Sequence, residues 1–155
     1  MKNPVVKKQV KGYNVNKKRK SGDRIVYDRE RVQMINCIVV GIGGFAGAVM
    51  RYLIGLIPIN PENGFPVKTF CINVAGAFVI GLVAALGTRN SWNPRLILFL
   101  KVGLCGGFTT FSSFALETDQ MIAKGQTVTA ALYVILSLCA GMLAVSAAQN
   151  IFGRV

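Results

Sequence analysis

GLCGGFTTFSSFALE, Gly103 to Glu117, decides how this chain folds. An apolar run breaks there into glycines, continues into two threonines, and then sets hydroxyls between phenylalanines spaced i, i+3. Gly103, Gly106 and Gly107, followed by β-branched Thr109 and Thr110, weaken a helix. Yet apolar residues continue on both sides, from Leu96 to Leu116, close to the ~20 residues that cross a bilayer as a helix. The pattern predicts a membrane helix broken near its middle. Irregular backbone at that depth is tolerated where it is buried in protein or lines a cavity. Carbonyls unwound there are good ligands for Na⁺, and no carboxylate lies beside the break. The residues alone do not name the ion.

The remainder of the chain has the same character. It has 155 residues, 52% of them hydrophobic, with mean hydropathy +0.48, above the ~45–50% apolar fraction of soluble domains. Four apolar blocks follow one another at about 34–57, 67–86, 96–116 and 128–148. The connections PINPENGFP, GTRNSWNP and ETDQMIAKGQ collect proline, glycine, asparagine and charge. A soluble four-helix bundle would need polar faces at a 3.6-residue period, and the second and fourth blocks show almost none. The fold class is therefore an all-α membrane protein of four transmembrane helices, the third broken, over residues 34–155. Residues 1–33 form a basic N-terminal extension, expected to be disordered, with eleven Lys or Arg and three Asp or Glu, net +8.

Composition excludes several chemistries. Histidine is absent, and the cysteines Cys37, Cys71, Cys105 and Cys139 fall one per block, so zinc sites and Ser/His/Asp catalysis lack their residues. The cysteines are expected to be small, buried and reduced. GIGGFAG, Gly41 to Gly47, resembles a nucleotide-binding loop, but no strand and turn precede it. Gly43 with Gly47, and Gly103 with Gly107, are small-xxx-small pairs that let membrane helices approach closely, which is the reading preferred here.

Polar residues inside membrane blocks are costly and therefore informative. Thr69 and Asn73 share one face of the second block at i, i+4, extended by Gly76, and Tyr133 and Ser137 repeat that spacing in the fourth. The third supplies Thr109, Thr110, Ser112 and Ser113, while Lys101 lies near its start and can snorkel. Nearly all the uncharged groups donate hydrogen bonds, which suits an anion. The rings of Phe111 and Phe114 could offer their electropositive edges to the same ion. Taken singly, each group could equally be inter-helix glue or packing. Their joint presence on three helices, without an acidic partner, favours a pathway.

GGFAGAVMRY, TFCINVAGAFVIG, GGFTTFSSFALE and YVILSLCAG, one in each block and in order, resemble the Fluc (CrcB) fluoride channels from about Met34 to the C-terminus. The resemblance implies a passive fluoride export channel in the cell membrane, an antiparallel dual-topology dimer with two pores and a central structural Na⁺. It implies Asn73 as the pore amide, Phe111 and Phe114 as the rings contacting fluoride, and Ser112, Ser113, Thr69, Tyr133 and Ser137 as polar lining. Gly106 and Thr109 match the positions whose carbonyls hold Na⁺. Arg51 matches a motif arginine that can reach a vestibule or bond helix-end carbonyls; an interfacial anchor is the alternative. Lys68 departs from the pattern, which has a small residue before Thr69, and its charge is expected at the pore mouth. The basic extension has no counterpart either.

Fluoride is small and strongly hydrated, so a dry pore must replace its water with close donors. Without the extension, Arg89, Arg95, Lys101 and Arg154 on one side nearly balance Lys68, Lys124 and Arg51 on the other, which suits insertion both ways. With it, Arg24, Arg29 and Arg31 hold the N-terminus in the cytoplasm. The chain is then either half of a heterodimer with an oppositely oriented homologue, or a homodimer whose native start is Met34. Alternatively the extension binds anionic lipid, with nucleic acid the least favoured partner. No apolar core marks a signal peptide in it. A small multidrug exporter is the rival function, but it wants a carboxylate in the first block, which has none. A structural membrane subunit would leave Asn73, Phe111 and Phe114 without a purpose.

Overall fold

The computed structural model describes residues 15–59, 61 and 64–153. Two compact units divide the chain, Met1–Ile35 and Asn36–Val155. Helix α1 covers Val15–Gly55 and α2 Val67–Arg89. The third span is composite: α3 at Pro94–Ile97, a π-helical segment at Leu98–Cys105, α4 at Gly106–Phe108 and α5 at Phe111–Ala123. Helix α6 covers Thr127–Phe152. Four stretches are long and apolar enough to cross a membrane: Arg29–Gly55, Val67–Arg89, Pro94–Ala123 and Thr127–Phe152. Each contains nearly all of one expected block, and three run on past it. A helix keeps its ladder of hydrogen bonds after the apolar run stops, as at Glu117 and Asp119 in α5.

Two expectations change. Helix α1 begins at Val15, where composition predicts disorder through residue 33; lysine, arginine and glutamate are good helix formers and extend a helix once it is nucleated. Residues 1–14 lie outside the described residues. All four cysteines are free as expected, but only Cys105 is buried, while Cys37, Cys71 and Cys139 are exposed. In a lipid-facing position a thiol is as tolerable as any small apolar group.

The outside of this bundle is as apolar as its inside. Ile38, Ile42, Phe45 and Leu53 of α1 and Leu132, Ile135, Leu136 and Leu143 of α6 are all exposed. Such a surface would be an aggregation hazard in water and is neutral in hydrocarbon. Helix α2 is the central element, with 33% of its apolar window buried against 11% in each other span. It packs most extensively on α6, where a Cβ at Gly81 would lie 2.8 Å from the Val145 carbonyl oxygen and 3.1 Å from Ala148 Cβ.

The glycine pairs join α1 to the third span. A Cβ at Gly43 would lie 2.5 Å from the Phe99 carbonyl oxygen, and one at Gly103 would lie 2.9 Å from Gly43 Cα. A Cβ at Gly47 would collide with the Leu104 carbonyl, and one at Gly107 with the Gly44 carbonyl. Backbone therefore meets backbone, as small-xxx-small spacing allows.

The break is not where the glycines are. Gly103, Gly106 and Gly107 remain helical, and the chain leaves the helix only at Thr109 (φ −78°, ψ 158°) and Thr110 (φ −148°, ψ 111°). Gly103 and Gly107 lie against α1 backbone, while Gly106 faces open space and is helical all the same. β-branched threonines fit extended backbone readily. The π-helical segment before them widens the turn, a feature frequent at functional sites. Both halves are capped: Asn93 Oδ1 accepts from Arg95 N at 2.9 Å, with Pro94 at the first helical position, and Thr110 Oγ1 accepts from Ser113 N at 3.2 Å.

Candidate functional site

Two clefts flank the broken helix, and Thr110 lines both. The inner cleft, about 350 Å³, brings together Asn73, Gly106, Thr109, Phe111, Phe114 and Ser137 from three spans. The outer cleft, about 870 Å³, holds Arg51, Lys68, Thr69, Ser113, Glu117 and Lys124. Ser112 is exposed and lines neither, and Tyr133 is fully buried, with 0% exposure.

Asn73 holds the break open. Its Nδ2 donates to the Thr110 carbonyl oxygen at 3.1 Å, and its Oδ1 accepts from Thr110 N at 2.8 Å. The carboxamide thus satisfies both backbone groups of an extended residue that has no helical partner, the condition for keeping such backbone in a membrane. Its second N–H remains for the inner cleft. Thr109 stays tied to the preceding turn, its N and Oγ1 both donating to the Cys105 carbonyl at 3.0 and 2.9 Å. Gly76 on α2 admits the Thr109 methyl, which a Cβ there would strike.

Around this knot the donors are spaced as the helical periods require. Thr110 Oγ1 donates to Ser113 Oγ at 3.0 Å, leaving the Ser113 hydroxyl proton for another acceptor. Ser137 Oγ is buried without a hydrogen-bond partner, on the wall that carries Asn73 and the two rings. Among the described residues nothing pairs with it, and a buried hydroxyl left unpaired is costly. Phe111 and Phe114 lie with centroids 5.8 Å apart and planes at 41°. Phe111 is 78% exposed, so its edge is available, while Phe114 leans on Tyr133 at 5.0 Å.

One acidic group belongs to this set, contrary to the expectation of a set without an acidic partner. Thr69 Oγ1 donates to Glu117 Oε1 at 2.6 Å, and Tyr133 Oη donates to Glu117 Oε2 at 2.9 Å. Three helices are thereby joined through one carboxyl group, and the hydroxyls of Thr69 and Tyr133 are committed to it. Spacing held a signal for Glu117, which lies four residues after Ser113 and three after Phe114, on the same face of α5. Phe65, in the α1–α2 connection, covers the Tyr133 ring at 5.3 Å and 80°. Nothing in its local pattern distinguishes it.

Both basic side chains cap carbonyls. Arg51 Nε donates to the Gly107 carbonyl at 3.2 Å, fastening α1 to the turn before the break. Lys68 Nζ donates to the carbonyls of Gly55 and Ile57 at 3.0 and 3.3 Å. Among the described residues no cluster of His, Cys, Asp and Glu could hold a metal ion. Gly106 and Thr109 offer carbonyls instead: a Cβ at Gly106 would meet nothing within 4 Å, and the Thr109 carbonyl accepts no hydrogen bond among the described residues. Backbone carbonyls are hard oxygen ligands, and these two would make only part of a cation's coordination shell.

Four membrane-spanning helices whose polar groups converge on a break in the third define a multi-pass α-helical membrane protein with an internal polar track. A family profile described as "CrcB-like protein, Camphor Resistance (CrcB)" matches residues 38–149, and the chain belongs to this family. It is 43% identical over 110 residues to the "Fluoride-specific ion channel FluC" of Chlorobaculum tepidum, covering 70% of this chain and 87% of that protein. The proteins of the same description from Prosthecochloris aestuarii and Gloeothece citriformis are 45% and 41% identical, covering 84% and 91% of their lengths.

Proposed function

We propose that this chain is a subunit of a fluoride-selective passive channel in the plasma membrane, not an enzyme, carrying F⁻ out of the cytoplasm. Membership of a family whose relatives are described as fluoride-specific channels supports it. The observation that carries the site is the inner cleft, where the Asn73 carboxamide, the unpartnered Ser137 hydroxyl and the Phe111 and Phe114 rings face one space. These are neutral donors and ring edges, suited to a small anion stripped of water. The Ser113 hydroxyl continues the track toward the outer cleft, where Glu117 holds the hydroxyls of Thr69 and Tyr133. Export needs no ATP, since an inside-negative potential contributes ~2.3 kcal/mol per charge per 100 mV.

The conducting unit is an antiparallel dimer in lipid, formed by two copies of this chain or by this chain with an oppositely oriented homologue. Gly106 and Phe111 are exposed in the single chain, which supports a second subunit packing over them. There the carbonyls of Gly106 and Thr109 from two subunits would hold a structural Na⁺, which supplies a fixed positive charge that ties the two breaks together.

The test is fluoride efflux from liposomes containing the purified chain, with chloride as control. Wild-type protein releases F⁻ and retains Cl⁻, while Asn73→Asp and Phe111→Ile slow release at least ~10-fold, the equivalent of a barrier rise of ~1.4 kcal/mol. Well-folded wild type that passes no fluoride, alone or with an oppositely oriented homologue, refutes the proposal. Proton-coupled uptake of organic cations would point to a multidrug exporter instead.

A further inference from the structure

Lys68 is the second residue of α2, a charge at the start of an otherwise apolar membrane helix. A lysine at the end of a membrane helix ordinarily extends its stem toward bulk water. Here the ammonium group is held instead by the carbonyls of Gly55 and Ile57 at 3.0 and 3.3 Å. Gly55 is the last residue of α1, where the final acceptors lack helical partners and the helix dipole is negative, and Ile57 lies in the turn after it, its carbonyl also accepting from Ile59 N at 2.8 Å. An ammonium carries three N–H donors. Two are committed to the carbonyls, and the third remains for the outer cleft, whose wall Lys68 forms beside Thr69.

The other charged groups of that cleft are Arg51, Lys124 and Glu117. Arg51 is directed to the Gly107 carbonyl, which leaves its charge in place. Both Glu117 oxygens accept hydroxyls, from Thr69 and Tyr133, and neither is engaged by Lys68. The cleft is therefore a cation-rich mouth leading to Thr110, which also lines the inner cleft.

Resting on the anion-conducting reading above, we infer that Lys68 is a fixed charge that concentrates monovalent anions at the outer cleft and so sets the entry rate. The α1 carbonyls position it, and its effect is electrostatic, not a direct contact with an ion in the pore. A unit charge acting through water over about 10 Å changes the local anion concentration about twofold when unscreened, and about 1.3-fold at 0.1 M salt, where that distance is one Debye length. Low-dielectric walls increase that factor.

The experiment is fluoride efflux from liposomes carrying wild type, Lys68→Gln, Lys68→Glu and Lys68→Arg, at about 10 mM and about 0.5 M ionic strength set with potassium gluconate. At low salt the rates should fall in the order Lys, Gln, Glu, with about two- to fivefold between successive members. At high salt they should converge to within about 1.5-fold, and Lys68→Arg should follow wild type throughout. Gln retains a hydrogen-bond donor for the α1 carbonyls, so a purely structural clamp would leave its salt dependence like that of wild type. A deficit in Lys68→Gln that is equal at both salts, or absent at both, overturns the electrostatic role while leaving the channel intact. Wild type that passes no fluoride at either salt overturns the channel function and this role together.

Discussion

Replacing Asn73 by alanine removes both hydrogen bonds that hold Thr110 in its extended conformation, at 2.8 and 3.1 Å. Each is worth a net ~1 kcal/mol, and an orphaned Thr110 N–H inside the bundle adds ~1–3 kcal/mol. The terms total ~3–5 kcal/mol, and water entering the vacated volume reduces the expected loss to ~2–4 kcal/mol in local stability at the break. In amide exchange this corresponds to roughly 30- to 700-fold, at ~1.4 kcal/mol per decade. Hydrogen exchange followed by NMR on detergent-solubilised protein reads Thr110 directly. Thr109 N, bonded to the Cys105 carbonyl at 3.0 Å, is the internal reference and should change little. Asn73→Asp separates the two halves of the carboxamide. Its remaining acceptor keeps Thr110 N protected, while the lost donor sets oxygen against the Thr110 carbonyl. Exchange at Thr110 that rises less than about threefold in Asn73→Ala would refute the assignment of Asn73 as the clasp of the break.

Two further substitutions test the packing and the pathway. Gly47→Ala sets a methyl group against backbone of the third span, 2.7 Å from Phe108 N and 3.0 Å from the Gly107 carbonyl carbon. Overpacking of this kind costs about 1–3 kcal/mol; a thermal midpoint in detergent equal to that of wild type would contradict the close α1 contact. Ser137→Ala removes a buried hydroxyl that has no partner. Its thermal midpoint should be unchanged or higher, while fluoride efflux falls about tenfold for the loss of one donor to an ion. A stable variant with unaltered efflux would remove Ser137 from the pathway.

The four spans, the small-xxx-small pairs and the broken third helix are legible in the chain because each depends on neighbours within a few residues. Apolar runs of ~20 residues need no partner to be recognised. Gly43 with Gly47, and Gly103 with Gly107, announce close approach through spacing alone, and the structure sets one pair against the other. Asn73 with Thr69, and Ser137 with Tyr133, share faces by helical period, which collected most of the polar set before any coordinates.

What the chain could not declare depends on contacts between segments distant in sequence. Whether the glycines or the threonines of GGFTT leave the helix depends on α2, whose Asn73 carboxamide takes both backbone groups of Thr110. Glu117 reads as the polar end of an apolar block until α2 and α6 bring Thr69 and Tyr133 to its two oxygens. Lys68 reads as a misplaced charge until the end of α1 presents it with two carbonyls. Local sequence determines which residues can be helical, small or polar, because those properties belong to single residues and their periods. Only the tertiary structure decides which hydrogen-bonding groups meet a partner and which, like Ser137 Oγ, meet none among the described residues.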